Sequence, residues 1–265
     1  MGFRKNLNFR EAALGMLQQL PGFCSLSFLE LGCGDGWMLE QLLRSGVRSA
    51  RGTTFRNRSH DYIRSREYPE GLTVDEGIDL NKPLPYAESQ FDVVYSTEVI
   101  EHVEGHRNFL TEAARVLKPG GWLVLTTPNL HRLVSRFAFA LSGIHANKRG
   151  LIPWSCELGR MEEYHHHCVD FPLLHWLLWG AGLRIEEMRP TEVRALSTIV
   201  SLLNPVLRLT TRFFVMRRAT GEQPDRVARN DLLSWMNSRT LLSSEQICVR
   251  ARKIPPSNAV QNSSP

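Results

Sequence analysis

The stretch Leu26-Ser-Phe-Leu-Glu-Leu-Gly-Cys-Gly-Asp-Gly-Trp-Met-Leu-Glu-Gln-Leu-Leu43 decides the fold. A short apolar run ends at Glu30, and glycine then recurs at positions 32, 34 and 36. Trp37, Leu39, Leu42 and Leu43 follow at helical spacing. The pattern reads as a strand, a tight turn and a helix. Glycine is needed where backbone approaches a ligand too closely for a Cβ, and the amides that open a helix favour polar ligand atoms. A nucleotide-like cofactor is expected at this turn. A G-x-G-x-x-G fingerprint would need glycine where Trp37 stands, and a P-loop would need Gly-Lys-Ser/Thr, which is absent. Both are disfavoured.

Working outward, alternating strand and helix patterns surround this turn. A capped helix is expected over residues 8–20, with Asn8 and Glu11 spaced for a capping box and Pro21-Gly22 as the stop. Strands are expected over 49–55, 72–76, 91–96, 122–127 and 183–188, with a last edge strand over 247–252. Helices are expected over 57–66, 105–117, 131–141 and 171–182. Strands separated by helices imply an α/β domain with a parallel sheet covered on both faces.

The 265 residues, 42% of them hydrophobic, suffice for one large domain with decorations. A net charge of +5 suits an anionic partner without requiring one. Five cysteines with no C-x-x-C spacing indicate neither a disulfide framework nor a zinc knuckle, which fits a reducing cytosol. The opening Met1-Gly-Phe-Arg-Lys-Asn lacks a signal-peptide apolar region, and no run of about 18 apolar residues could span a bilayer. A cytoplasmic location is expected, with peripheral attachment to the inner membrane surface as the alternative.

The order of the motifs carries a family resemblance. Glu30-Leu-Gly-Cys-Gly-Asp-Gly36, then Phe91-Asp-Val-Val-Tyr-Ser96, Glu98-Val-Ile-Glu-His102, Leu117-Lys-Pro-Gly-Gly121 and Gly180-Ala-Gly182 resemble the class I S-adenosylmethionine-dependent methyltransferases. The likeness is greatest to the ubiquinone-biosynthesis and small-molecule O-methyltransferase type. It implies a Rossmann-like sheet of seven strands in the order 3-2-1-4-5-7-6, with helical insertions after strands five and six. It divides the chain into an N-terminal helix (1–25), a cofactor-binding core (26–130), a substrate-cover insertion (131–170), a continuation of the core (171–192), an amphipathic insertion (193–245), the last strand (246–253) and a disordered tail (254–265).

By that resemblance, Glu30, Gly32, Gly34 and Gly36 contact the methionine and ribose parts of S-adenosylmethionine. Asp79 faces the adenine amino group, Leu80 flanks the ring, and Ser96 and Thr97 close the pocket. One position departs from the pattern. Relatives end strand two with an acid that grips the ribose hydroxyls, whereas this chain places Thr54 there, capable only of weaker neutral hydrogen bonds.

If the turn after strand four opens a helix, Glu98, Glu101 and His102 share one face at i, i+3 and i+4. Two carboxylates and an imidazole could then hold a divalent cation. Metal-assisted relatives add a further histidine from beyond strand five, and within Tyr164-His-His-His-Cys168 the choice falls on His167. The metal-free alternative makes His102 the base or positioning group, with Glu101 beside it. A hydroxylated small molecule is the expected acceptor: a glycan sugar, a lipid-linked molecule or a quinone-like ring. A 2′-O-RNA methyltransferase ranks lower, since nucleic acid is disfavoured by the absence of an RNA-binding module. A cofactor-binding partner protein without turnover is the reading from another class. Residues 195–218 combine apolar and basic positions at helical spacing. They could lie in a membrane interface, though a lid or packing surface is the commoner use of such a segment.

Overall fold

The computed structural model describes residues 8–55, 70–146, 155, 167–193, 204–217 and 223–255. The expected helix over 57–66, His165 and His166, residues 195–203 and the tail beyond 255 lie outside them.

The chain opens with helix α1 (Phe9–Gln18). Its capping box forms as the spacing predicts: Asn8 Oδ1 accepts from the Glu11 amide at 2.9 Å, and the Asn8 amide donates to Glu11 Oε2 at 3.1 Å. Strand β1 (Phe28–Glu30), helix α2 (Trp37–Arg44), β2 (Ala50–Thr54) and β3 (Leu72–Glu76) follow, then β4 (Phe91–Thr97), α3 (His106–Val116) and β5 (Leu117–Pro128). After α4 (Leu133–Ser142) come α5 (Phe171–Gly180), β6 (Leu183–Arg189), α6 (Asn204–Arg217), α7 (Gln223–Met236), α8 (Arg239–Ser243) and β7 (Gln246–Lys253).

The seven strands pair in the order β3-β2-β1-β4-β5-β7-β6, as the resemblance implies. β7 runs antiparallel to both neighbours; the other pairings are parallel. Strand alternation distributes the core to two layers. Phe28, Val93, Tyr95 and Val124 face α1 and α2, where Ala13, Met16, Leu17, Leu39 and Leu42 cover them. Leu29, Val94, Leu123 and Leu125 face the other way, against Phe109 and Leu110 of α3 and Phe171 and Leu174 of α5. Burial on both faces explains why the central strands read as continuous apolar runs.

One expectation needs correction. The segment after β4 is not an α-helix: Glu98 has φ +54°, in the left-handed region, and only Ile100–His102 form a single 3₁₀ turn. Within 193–245, expected as an amphipathic helical insertion, three helices stand among the described residues, and Pro205 falls at the second residue of α6. Proline is accommodated in a first helical turn, where its missing amide has no intrahelical partner.

Candidate cofactor and acceptor site

The carboxyl ends of β1 and β4 lie side by side, with Glu30 in register with Tyr95, and open sheets of this kind bind ligands at such a switch in strand order. A cavity of about 690 Å³ opens there. That volume suits a nucleoside-sized ligand.

The glycine turn is held by polar contacts to both neighbouring strands. The Gly32 amide donates to Thr53 Oγ1 at 3.0 Å, the Cys33 amide to the Thr53 carbonyl at 2.8 Å, and the Ser96 hydroxyl to the Leu31 carbonyl at 2.9 Å. Gly32 has φ +77°, and a Cβ there would lie 2.7 Å from Val99 Cγ2. Gly34 has φ +52°, and a Cβ there would meet no protein atom within 4 Å. The backbone at Gly34 therefore borders open space in the cavity, as a ligand-cradling turn requires.

Glu30, Gly32, Gly34, Thr54, Asp79, Leu80 and Thr97 all line this cavity. Gly36 and Ser96 do not. Gly36 takes φ +70° as the N-cap of α2, and Ser96 is fully buried with its hydroxyl on Leu31. Both shape the turn from behind.

Glu30 is 1% exposed, and its carboxyl accepts from the Tyr95 hydroxyl at 3.1 Å. Burial pushes its pKa up to about 8, against the lowering effects of the Tyr95 hydrogen bond and the Arg10 charge. The folded state thus holds this proton more tightly than the unfolded chain. Its contribution to stability is full below the ordinary value of 4.5 and is lost as pH rises toward 8. Glu30→Gln should remove that part of the decline when denaturant midpoints are compared across pH 5–8.5; an unchanged slope would place the titration elsewhere.

At the far end of the cavity, Asp79 is held ionised below its ordinary range, chiefly by the Asn81 amide. Asn81 Oδ1 accepts in turn from the amides of Glu104 and Gly105 at 2.9 and 3.1 Å, tying the loop after β3 to the entry of α3. Arg10 of α1 reaches into the same cavity and donates to Asp35 Oδ2 at 2.9 Å. Sequence reasoning missed Arg10, Asp35 and Asn81. Arg10 and Asp35 meet across 25 residues, which no local spacing reports.

His102, His167 and Glu98 line the cavity too. Glu101 does not: it is fully buried, its carboxyl accepts from Thr127 Oγ1 at 3.3 Å, and burial followed by the nearby Glu98 charge raises its pKa well above the usual carboxylate range. Its carbonyl accepts from the His167 amide at 3.1 Å. The left-handed Glu98 and the 3₁₀ turn abolish the i, i+3, i+4 face on which a shared cation would sit. Among the described residues no group of three or more His, Cys, Asp or Glu side chains is arranged to hold a metal ion, so the expected set Glu98, Glu101, His102 and His167 is not assembled.

Residues 29–125 match the family model for a methyltransferase domain. A ubiquinone biosynthesis O-methyltransferase of Cereibacter sphaeroides is 36% identical over 121 residues, 46% of this chain and 48% of that protein. Its counterpart from Parvibaculum lavamentivorans is 34% identical over 170 residues, 63% of this chain and 62% of that protein. The chain spans about half the length of the curated relatives it matches. A solved S-adenosylmethionine dependent methyltransferase from Mesorhizobium loti shares the fold, with a TM-score of 0.54 at 16% identity over 92% of this chain and 97% of that one. The matched stretch contains the glycine turn and the turn carrying His102, so residues 29–125 are similar to a methyltransferase domain, and the order of the sheet is that of the class I S-adenosylmethionine-dependent methyltransferase fold.

Proposed function

We propose that this chain methylates an oxygen of a hydroxylated small molecule, with S-adenosylmethionine as donor. One observation carries the reading: a single cavity is lined both by the glycine turn, at Gly32 and Gly34, and by His102 and His167. Donor and acceptor can therefore meet within it. The O-methyltransferase relatives support oxygen as the nucleophile and a quinone-like or other hydroxylated ring as its source.

When bound, S-adenosylmethionine supplies both the methyl group and its own leaving group. The residues of this chain have the remaining tasks of alignment and proton removal. The open side of Gly34 receives the amino-acid and ribose portion, and Arg10 stands beside it as a cation for the carboxylate. Asp79 accepts from the adenine amino group, with Leu80 and Phe55 flanking the ring. His102 orients the acceptor hydroxyl and takes its proton at a ring nitrogen. Glu101, removed from the cavity, is a positioning residue: its carboxyl fixes the turn on Thr127, and its carbonyl holds the segment bearing His167.

The described residues do not fit a divalent cation at this turn, and no step runs through one. Methyl transfer to a quinol or catechol acceptor should continue unchanged in excess chelator. Chelator-sensitive turnover restored by added Mg²⁺ or Mn²⁺ would refute this metal-free account.

Thr54 stands where relatives carry an acid, and charge-assisted hydrogen bonds are about twice as strong as neutral ones. Thr54→Asp should tighten S-adenosylmethionine binding by roughly fivefold to tenfold in calorimetry. Unchanged or weaker binding would mean that the ribose hydroxyls lie elsewhere. A cationic donor also favours the ionised form of Glu30. Binding should then release a proton below pH 8 and strengthen as pH rises toward that value, a slope absent in Glu30→Gln.

A further inference from the structure

Helix α6 turns apolar residues outward. Val206 is 61% exposed, Leu209 71%, Phe213 56% and Met216 45%, and steps of three, four and three place them on one stripe. Phe214, also exposed, flanks the stripe, while Thr211 and Val215 on the other side are half-buried. The helix rests against α7, and the exposure of Val206, Leu209, Phe213 and Met216 leaves the stripe open to solvent. α4 has the same character in Phe137, Phe139 and Leu141, all exposed.

Charge decides what could cover the stripe. Residues 193–221 contain Arg194, Arg208, Arg212, Arg217 and Arg218 and no aspartate or glutamate. Arg212 and Arg217 are exposed, and the Arg217 guanidinium lies 5.9 Å from the centre of the Phe213 ring. A two-fold contact with a second copy would bring these cations against their own kind. A surface of lipid phosphates offers the opposite sign, with an acyl boundary directly beneath for the apolar side chains. The 14 residues of α6 extend about 21 Å, less than the hydrocarbon thickness of about 30 Å. Among the described residues no helix is long and apolar enough to cross a membrane. The element can lie on a bilayer without spanning it.

We propose that α6 seats this chain on an anionic phospholipid surface, with the stripe from Val206 to Met216 at the headgroup and acyl boundary and Arg212 and Arg217 on lipid phosphates. The inference goes beyond methyl transfer and stands whether or not that reading holds. Flotation of the full chain with vesicles tests it. The protein should rise with vesicles of phosphatidylcholine and phosphatidylglycerol and remain below with pure phosphatidylcholine. Leu209→Asp/Phe213→Asp should reduce the bound fraction at least about tenfold with an unchanged thermal midpoint. If that pair unfolds the chain, Leu209→Ser/Phe213→Ser serves, with a loss of several-fold. Arg212→Gln/Arg217→Gln should weaken binding and flatten its salt dependence. Three results would overturn the proposal: no flotation with the anionic vesicles, flotation undiminished by the apolar variants, or light scattering that shows a dimer which those variants dissociate.

Discussion

His102→Ala is expected to lower kcat by about 10²–10⁴-fold, the usual contribution of a positioned proton acceptor, while leaving the affinity for S-adenosylmethionine unchanged. The separation follows from geometry. His102 lines the cavity beside Glu98, Val99 and His167, whereas the donor-holding roles proposed above fall to the glycine turn and Asp79. A residue that orients the acceptor and accepts its proton acts on turnover, and donor binding does not need it. Stopped or slowed methyl transfer alongside unaltered donor calorimetry would match this assignment. A variant that turns over at the native rate would remove His102 from the chemistry, and one that loses donor binding would make it part of the cofactor pocket instead.

Gly34→Val carries the largest expected effect on binding, a loss of at least about 100-fold in donor affinity, equivalent to about 2.8 kcal/mol. The chain does not exclude a side chain here on packing grounds, because no protein atom lies within 4 Å of the site a Cβ would take. The valine would occupy ligand space. Its strain at φ +52° should cost the fold about 1–2 kcal/mol, a modest drop in thermal midpoint that separates a filled pocket from an unfolded protein. Gly32→Val makes the contrast: there a Cβ meets Val99 at 2.7 Å, so the fold itself should suffer. Equal donor affinity in Gly34→Val and the native chain would show that the donor does not touch this turn.

The sheet was legible because its central strands are buried on both faces and so appear as unbroken apolar runs, as in Phe91-Asp-Val-Val-Tyr-Ser-Thr97. The cap of α1 was legible because Asn8 and Glu11 interact over three residues. What failed was the step from spacing to orientation after β4. Glu98, Glu101 and His102 are spaced for one helical face, but that inference presumes helical backbone, and Glu98 takes φ +54° while its amide donates to Thr126 Oγ1 at 3.1 Å and to the Thr126 carbonyl at 3.2 Å. Tertiary hydrogen bonds to β5 override the local pattern and turn Glu101 into the core. Arg10, Asp35 and Asn81 were invisible for a related reason: each gains its place at the cavity from partners distant in sequence. α7, with polar residues scattered through Gln-Pro-Asp-Arg-Val-Ala-Arg-Asn-Asp, lacks the apolar periodicity that reveals a helix before it packs.

Titration calorimetry with S-adenosylmethionine, and with its demethylated product, reaches the central claim most directly, because every role proposed for the residues of the cavity depends on a donor seated between the glycine turn and His102. The account predicts one site per chain for each ligand, with binding weakened at least about 100-fold in Gly34→Val and preserved in His102→Ala. Absence of heat with both ligands at millimolar concentration, confirmed by an unshifted thermal midpoint, would contradict it.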